Sequence, residues 1–377
     1  MLSTQLVERG LDVTWLSMRQ RQSPDIERLN GVLHRHAGPR IAQPPVRSLW
    51  QKVRFMGTVV IHLLRHRYDL VDCQPYAPLP AARLGCWLTR TPIVACIHDT
   101  SAPPRGFGVA DDQWLSATDR RLATLVEGYL YRLGYDQVLT VAESVRQDLI
   151  QRFGLAASRV AVAANGVDVR ALAMHARHPQ ACDIIFVGRH VPHKHPEHFL
   201  EAAARVSARR QLQGCRRVRV KLVGAGPLSG AARQRAQELG LQDDILWWGE
   251  VERHSDVVGH IRSARLLVLP STREGFGLVL AEAMACGTGV LAYDIPAVRE
   301  TLGTALRDAL VPPGDVSALA AAIERLLDEP ERLAAQVAVG RERVSACFDV
   351  REFASRVLEV YDKALATGSV GREFDDA

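Results

Sequence analysis

The feature that most constrains this chain is the alternation of short apolar runs with longer amphipathic stretches along nearly its whole length. Each run is rich in Val, Ile and Leu and is closed by Gly, Pro or a polar cluster, which is typical of buried parallel strands. The predicted strands are Leu11–Leu16, Leu70–Asp72, Ile93–Ile97, Gln137–Val141, Arg159–Ala163, Asp183–Val187, Val218–Val223, Ile245–Trp248, Leu266–Leu269 and Gly289–Ala292. Strands that alternate with helices in this way predict an α/β fold with two doubly wound, Rossmann-like domains.

The domain boundary is placed by length and by a change in composition. A chain of 377 residues exceeds what one compact core usually holds, so two domains are expected. The polar stretch Arg170–Gln180 has no strand pattern and marks the boundary. We predict an N-terminal domain over residues 1–172, a C-terminal domain over residues 173–348 and a helix over residues 349–366. Residues 367–377, rich in Gly, Ser and charge, are expected to form a flexible tail.

Composition excludes several classes of protein. With 47% hydrophobic and 24% charged residues, the chain is not intrinsically disordered. It contains no run of about 18 apolar residues, so no transmembrane helix is expected. The seven cysteines occur singly, without a Cys-x-x-Cys pair. This pattern predicts reduced thiols and a cytoplasmic location, and it argues against a cysteine-based zinc module.

The positive charge of the chain is concentrated near its start. The net charge of +5 is too small to indicate nucleic acid as a partner. Residues 1–70, however, carry eleven Lys and Arg against five Asp and Glu. Within them Trp50–Leu64 is amphipathic, and its apolar side is predicted to contain Trp50, Val53, Met56, Val60, Leu63 and Leu64. We expect this helix to pack on its own sheet, and peripheral contact with the inner face of an anionic membrane is the alternative.

The stretch from Pro270 to Gly287 carries the most chemical information. The predicted strand Leu266–Leu269 enters a loop with two glycines, and an apolar helix begins near Phe276. The backbone N–H groups at such a helix start bind anions, and glycines allow a ligand close to the backbone. Glu274 in the loop and Glu282 two turns into the helix can both point into one crevice. The arrangement suits a ligand that has both phosphate groups and sugar hydroxyls.

Further motifs stand at the ends of other predicted strands. Gly188-Arg189 is followed by Lys194, Leu222 and Val223 lead into Gly224-Ala-Gly226-Pro227, and the domain junction contains Asn165-Gly-Val-Asp168. His98 directly follows the strand Ile93–Ile97.

In this order, the motifs resemble those of the retaining glycosyltransferases of family 4. The resemblance implies the GT-B architecture, which has two facing Rossmann-like domains and a C-terminal helix that crosses back toward the N-terminal domain. It implies that Arg189 and Lys194 hold the donor diphosphate, that Glu274 holds sugar hydroxyls and that Glu282 binds the ribose. His98 is then expected to face the transferred sugar, which completes a catalytic set of Glu274, His98, Arg189 and Lys194. The remaining donor contacts are expected at Gly224, Gly226, Gly275, Phe276, Gly277 and Leu278.

The chemistry of these side chains agrees with that function. A nucleotide sugar leaves a diphosphate whose negative charge grows in the transition state, so fixed cations must stand beside it. We therefore predict a metal-independent hexosyltransferase without a cofactor, which uses a UDP-sugar, a GDP-sugar or another nucleoside-diphosphate sugar. The acceptor is left open between a saccharide, a lipid-linked molecule and a small molecule. The alternatives are another GT-B nucleotide-sugar enzyme, such as an epimerase, and a weakly active partner subunit that binds the donor.

Two competing patterns favour other ligands. Gly224, Gly226 and Gly230 resemble a dinucleotide fingerprint, but the third glycine comes one residue late and Pro227 interrupts it. Four histidines, His190, His193, His195 and His198, could indicate a metal site. We interpret them as a loop rim, because no helical His-x-x-x-His pair with a carboxylate partner is present. His195 stands where the family usually has glycine.

The resemblance also raises a question about the N-terminus. Family members open with a buried strand, whereas Leu2–Arg9 here matches the helix that follows that strand. Our hypothesis is that the working protein carries about 15–25 additional N-terminal residues, enough for one strand and its loop.

Overall fold

The computed structural model describes residues 1–20, 23–41, 48–75, 78–100 and 125–375, which divide into two units. The first unit contains the described residues up to Gly166 together with the chain from Val350 onward, and the second contains Val167–Asp349. None of the seven cysteines forms a disulfide. No helix among the described residues is long and apolar enough to cross a membrane.

The first unit opens with a short helix and a three-stranded sheet. Helix α1 (Leu2–Glu8) precedes strands β1 (Thr14–Gln20), β2 (Ile26–Leu29) and β3 (Val32–Ile41). The strand order is β1-β3-β2, in which β1 is parallel and β2 is antiparallel to β3. Asn30 and Gly31 connect β2 to β3 with φ values of 49° and 82°. Two positive φ angles are the signature of a type I′ turn, which favours Asn-Gly.

A second sheet of the same unit is fully parallel. Its strands are β4 (Val71–Cys73), β5 (Ile93–Ile97), β6 (Gln137–Thr140) and β7 (Val160–Val162), hydrogen-bonded in that order. The helices between these elements are α2 (Leu49–Arg65), α3 (Leu79–Thr89), α4 (described over residues 125–131) and α5 (Glu143–Gln151). α2 packs on β3 and on α3. Its Phe55 lies against Gly38, and its Leu63 lies against Gly85.

The second unit is built on one six-stranded parallel sheet. After α6 (Val169–Met174), its strands are β8 (Cys182–Val187), β9 (Val220–Val223), β10 (Ile245–Trp247), β11 (Ala264–Leu269), β12 (Gly289–Tyr293) and β13 (Leu310–Val311). Their order in the sheet is β10-β9-β8-β11-β12-β13. From β8 the chain winds outward to β10 and then returns to β11 on the other side of β8. In open α/β sheets such a reversal creates a crevice at the carboxyl ends of the two central strands.

Helices complete the second unit. They are α7 (Pro196–Leu212), α8 (Ser229–Glu238), α9 (His254–Arg262), α10 (Leu278–Cys286), α11 (Pro296–Leu302), α12 (Val316–Asp328) and α13 (Pro330–Cys347). Phe199 and Val206 of α7 meet Phe186 and Leu222 of the sheet in one buried cluster. α10 is buried along almost its whole length, because it carries no charged residue except Glu282.

The chain ends in α14 (Val350–Asp375), which packs on β5, β6 and α1 within the first unit. Val357 and Ala364 are fully buried there, and the hydroxyl of Tyr361 donates to Asp72 at 2.5 Å. The helix extends beyond Ala366, the end predicted from the sequence. The added segment contains Gly but no Pro, and Gly weakens a helix without stopping it.

The fold class predicted from the sequence is confirmed for this α/β chain, but three details of the first unit were wrong. The strand expected at Leu11–Leu16 begins at Thr14 and ends at Gln20. The hairpin of β2 and β3 was not predicted at all. The described strands of this unit also form two sheets instead of one, and the first contains an antiparallel pair.

Candidate functional site

Three loops of the second unit meet at the carboxyl end of its sheet. They follow β8, β9 and β11, which are neighbours in the sheet and run parallel. Lys194 lies in the first loop and Glu274 in the third, and the Lys194 ammonium Nζ donates to Glu274 Oε1 at 2.5 Å. The Lys194 side chain is 17% exposed and that of Glu274 is 10% exposed. The two residues are therefore in direct contact at the reversal between β8 and β11.

Backbone contacts hold the first and third loops together. The amide of Thr272 donates to the carbonyl of His193 at 2.9 Å. The imidazole of His195 contacts the Thr272 hydroxyl through Nε2 at 3.1 Å and Glu197 through Nδ1 at 2.8 Å. Thr272 thus connects the two loops immediately beside Lys194 and Glu274, which fixes the position of that ion pair.

His195 adopts a backbone conformation that favours glycine. Its backbone adopts φ 47° and ψ 57°, the left-handed conformation that glycine adopts most easily. A non-glycine residue persists in this conformation only where its surroundings hold it. Here the two hydrogen bonds of the ring do so, together with stacking on the ring of His198 at 4.3 Å. The loop at Lys194 is therefore held in the shape that a glycine would allow.

His195, Glu197 and His198 bring three potential metal-ligand atoms within 4.8 Å of one another. The two imidazole planes are stacked and almost parallel, with an interplanar angle of 6°. A metal binds in the plane of each imidazole, and two stacked parallel planes share no such position. In this arrangement the two rings cannot both hold one ion at about 2.0–2.1 Å.

Positive charge is concentrated around His193. Burial lowers the pKa of His193 to about 3, and the nearby charges of Arg273, Lys194 and Arg189 contribute to the shift. Arg189 is exposed at the end of β8. Arg273 was not among the residues predicted from the sequence, although it directly precedes Glu274 in a motif already singled out. The three cations form a region suited to an anion of more than one charge.

Gly224 and Gly226 lie against the backbone of the β8 loop. A Cβ atom on Gly224 would stand 2.0 Å from the carbonyl oxygen of Gly188, and one on Gly226 would stand 2.4 Å from that of His190. Gly224 also has a φ of +127°. These glycines therefore allow two strand-end loops to pack closely. Gly224 and Gly226, which were predicted to contact the donor, are thus also required for the packing of these loops.

The third loop leads through Gly275 into α10. Phe276 is buried, its ring meets Phe348 edge-on with centroids 5.0 Å apart, and its carbonyl accepts from the Thr301 hydroxyl. Gly277 stands just before α10 with φ 80°, and no described side chain caps the N-terminus of the helix. The first residue of α10, Leu278, is exposed. The Leu280 amide donates to the Gly277 carbonyl at 2.8 Å, so the amides of Leu278 and Val279 are the candidate donors to an anionic ligand.

Glu282 is buried in the second turn of α10, eight residues after Glu274. Burial raises its pKa to about 7. His254 Nε2 lies 3.3 Å from Glu282 Oε1, and burial lowers the pKa of His254. A neutral imidazole in this position supplies no positive charge to offset the burial of the carboxylate. No sequence pattern indicated this contact, because it depends on the packing of α9 against α10.

His98 belongs to the first unit and directly follows β5. Its Nε2 lies 2.8 Å from Gln74 Oε1, and the Gln74 amide donates to Asp72 at 3.4 Å. Burial lowers the pKa of His98, so its imidazole is neutral at pH 7. The side chain is thus oriented by Gln74, which directly follows the adjacent strand β4.

Two families match the two halves of this chain. Residues 1–171 match the family described as Glycosyltransferase Family 4, and residues 175–343 match the family described as Glycosyl transferases group 1. A D-inositol 3-phosphate glycosyltransferase of Kineococcus radiotolerans is 29% identical, and the alignment covers 99% of this chain and 91% of that protein. An MMP alpha-(1->4)-mannosyltransferase of Mycolicibacterium hassiacum is 30% identical over 80% of this chain and 72% of that protein.

Solved structures share the fold. Sucrose-phosphate synthase of Thermosynechococcus elongatus superimposes with a TM-score of 0.77 at 22% identity, covering 97% of this chain and 92% of that one. Anabaena Alr3699/HepE, in complex with UDP-glucose, gives a TM-score of 0.68 at 21% identity and covers 84% of each chain. The fold and the site thus define a glycosyltransferase of the GT-B type. This chain belongs to the family 4, group 1 glycosyltransferases, which confirms the resemblance and the enzyme class predicted from the sequence.

Proposed function

We propose that this glycosyltransferase binds a nucleoside-diphosphate sugar in its second unit and transfers the sugar with retention of configuration, without a metal ion. The observation that carries the proposal is the group of three cations around His193, one of which contacts Glu274. Retention rests on the family resemblance. The acceptor is left open, because the names of the relatives differ in acceptor.

The cations have separate tasks in this proposal. The exposed Arg189 can bind two phosphate oxygens with its planar guanidinium, whereas Lys194 adds a point charge near the bond that breaks. As that bond breaks, negative charge moves onto the diphosphate, and cations fixed in advance stabilise it. Arg273 adds charge at the same loop. The N-terminus of α10 offers further N–H donors.

The two glutamates are proposed to hold the sugars. Glu274 is held in place by Lys194 and can accept hydrogen bonds from the hydroxyls of the transferred sugar. Glu282, buried beside His254, can accept hydrogen bonds from the ribose hydroxyls of the nucleotide. His98, in the first unit, is proposed to face the transferred sugar from its position after β5.

A screen of nucleotide sugars tests the donor directly. A ligand that binds only the folded state stabilises the protein by about 2.7 kcal/mol at 100 times its Kd. Thermal unfolding with UDP-, GDP-, ADP- and TDP-sugars should therefore identify one donor, and UDP-glucose is the first candidate because HepE holds it. If no nucleotide sugar raises the melting temperature at millimolar concentration, donor binding by this chain is contradicted.

Nucleotide binding should depend on pH through Glu282. Only the ionised carboxylate accepts hydrogen bonds from both ribose hydroxyls, and with a pKa of about 7 it is mostly protonated at pH 6. Affinity should therefore rise with pH, by about tenfold between pH 6 and pH 8. Calorimetric titration with the nucleoside diphosphate measures this.

The matched control for that titration is Glu282→Gln. The terminal phosphate of the ligand also titrates, with a pKa of about 6, and its contribution remains in the variant. At pH 8 the variant should bind the nucleotide more weakly than the parent. Its affinity should no longer change around pH 7, whereas the change due to the ligand phosphate should remain. An identical pH profile in both proteins would exclude Glu282 as the ribose ligand. Glu274→Gln, by contrast, should reduce turnover more than nucleotide binding.

Transfer should continue in the presence of EDTA. Arg189, Lys194 and Arg273 supply the positive charge that a divalent ion otherwise provides beside a diphosphate, and the stacked rings of His195 and His198 are poorly arranged for an ion. The measurement is sugar transfer after exhaustive dialysis against chelator. Loss of activity that Mg²⁺, Mn²⁺ or Zn²⁺ restores would contradict a metal-independent mechanism.

A further inference from the structure

Helix α2 exposes an apolar stripe opposite its buried face. Phe55, Val59 and Leu63 are buried. The exposed large side chains recur at helical spacing on the opposite side, and they are Trp50, Val53, Ile61 and Leu64. Trp50 is 66% exposed. The apolar side predicted from the sequence was wrong, because it grouped the buried Leu63 with Trp50 and left out Ile61.

Helix α3, which packs on α2, carries further exposed apolar residues. Its Leu84, Trp87 and Leu88 are exposed, and Trp87 is 65% exposed. α3 packs on α2 where Gly85 meets Leu63, with room for no Cβ atom at Gly85. Together the two packed helices carry seven large exposed apolar side chains, two of them tryptophans. We call this set, with the basic residues beside it, the α2/α3 face.

The charged residues of α2 and α3 are all basic. Neither α2 nor α3 contains an Asp or Glu residue. Arg54 and Arg65 are exposed on α2 beside the apolar residues, whereas Lys52 is exposed farther round the helix. The Arg54 guanidinium lies 5.8 Å from the centre of the Trp50 ring, which joins a cation and an indole in one surface element.

The composition of the α2/α3 face distinguishes between possible occupants. The core of a protein interface is depleted in charge, whereas here cations lie among the apolar side chains. Two copies of this face would also bring arginine against arginine. Exposed Trp and Leu beside exclusively basic residues match the boundary between anionic headgroups and acyl chains, where tryptophan is enriched.

We propose that the α2/α3 face docks on the surface of an anionic lipid bilayer. The exposed apolar residues enter the boundary between headgroups and acyl chains, and the basic residues contact lipid phosphates. Glycosyl transfer is thereby brought to the membrane surface. The α2/α3 face contains no residue assigned to donor binding. The docking proposal therefore does not depend on the identity of the donor.

Co-sedimentation with vesicles tests the docking surface in the full-length chain. The protein should bind vesicles of phosphatidylglycerol and phosphatidylcholine, but not phosphatidylcholine alone, and binding should weaken in high salt. Trp50→Ser and Trp87→Ser should each lower affinity about tenfold. Arg54→Ala and Arg65→Ala should each lower the affinity for anionic vesicles about fivefold. Quenching of tryptophan fluorescence by brominated lipid should disappear in the double tryptophan variant.

Leu212→Ser is the matched control. Leu212 is an almost fully exposed apolar residue beside Arg209 and Arg210 at the end of α7, in the other unit. Its replacement should leave vesicle binding unchanged. Three results would overturn the proposal: no binding to anionic vesicles, equal binding to phosphatidylcholine, or a wild-type dimer that the tryptophan variants dissociate. Nucleotide binding, measured in parallel without lipid, separates failure of this surface from failure of the donor site.

Discussion

Lys194→Ala should lower kcat/KM by about 100- to 1000-fold, the usual cost of removing one fixed electrostatic donor from a transition state. Lys194 is proposed to act on the diphosphate, and its loss also leaves the largely buried carboxylate of Glu274 without its cation. Arg189→Ala should cost less, because Arg189 is exposed and Arg273 remains nearby. Steady-state kinetics with the identified donor measure both effects.

Controls separate charge from folding in this experiment. Lys194→Met keeps the length of the side chain without its charge, and it should be as impaired as Lys194→Ala. Arg332→Ala removes an exposed cation that pairs with Asp308 and Glu329, and it should transfer sugar normally. Circular dichroism should show native folding for all variants. Parental turnover in Lys194→Met would show that the charge of Lys194 does not stabilise the transition state.

The double replacement of Lys194 and Glu274 tests whether they act together. The two side chains are in contact, and residues that share a contact rarely have additive effects. Lys194→Met combined with Glu274→Gln should therefore lose less activity than the product of the single losses. Additive losses would show that each residue acts on the substrate separately.

The second unit was well predicted from sequence because local and global signals agree there. Five of its six strands are short, apolar and largely buried, so each could be recognised without knowing its neighbours. β13 is only two residues long and was not predicted. Parallel strands place their carboxyl ends at one edge. The family resemblance implied that Arg189, Lys194 and Glu274 hold one donor, and the parallel strands β8 and β11 bring their loops to the same edge. The contact between Lys194 and Glu274 follows from the order of β8 and β11, which the sequence did not reveal.

The first unit was predicted less well, for reasons that can be identified. The Asn30-Gly31 pair is the strongest kind of short hairpin signal, but no strand was predicted on either side of it. The exposed face of α2 was misassigned because a helix rich in apolar residues has more than one plausible buried side. Packing of Phe55 on β3 and of Leu63 on α3 decided between them.

Burial explains most of the remaining differences between the site predicted from the sequence and the site in the structure. The sequence showed that Glu282 lies on an apolar helix, but not that the helix is buried almost throughout, which shifts its pKa. Gly224 and Gly226 of the β9 loop were predicted to contact the donor. The structure adds that Gly224 makes room for the β8 backbone, and this requirement leads to the largest expected effect on stability.

Gly224→Ala should destabilise the second unit by about 4 kcal/mol or more, which is exceptional for one methyl group. The added Cβ would stand 2.0 Å from the Gly188 carbonyl oxygen, a backbone atom that cannot move aside as a side chain can. The φ of +127° at Gly224 adds strain for any residue with a Cβ. Relief requires β8 and β9 to separate at their carboxyl ends, where the Arg189 and Lys194 loop begins. Urea denaturation should show the loss as a lower midpoint.

Gly230→Ala, six residues later in the same glycine-rich segment, is the matched control. Gly230 lies in the first turn of α8 and is exposed, and a Cβ atom added there would have no neighbouring atom within 4 Å. Because alanine favours helix, this variant should be stabilised by about 0.5–1 kcal/mol. The same replacement of glycine by alanine is thus expected to lower the free energy of unfolding at Gly224 and to raise it at Gly230. If Gly224→Ala unfolds at the parental midpoint, the close packing of the two loops is not what requires glycine there, and contact with the donor becomes the better explanation.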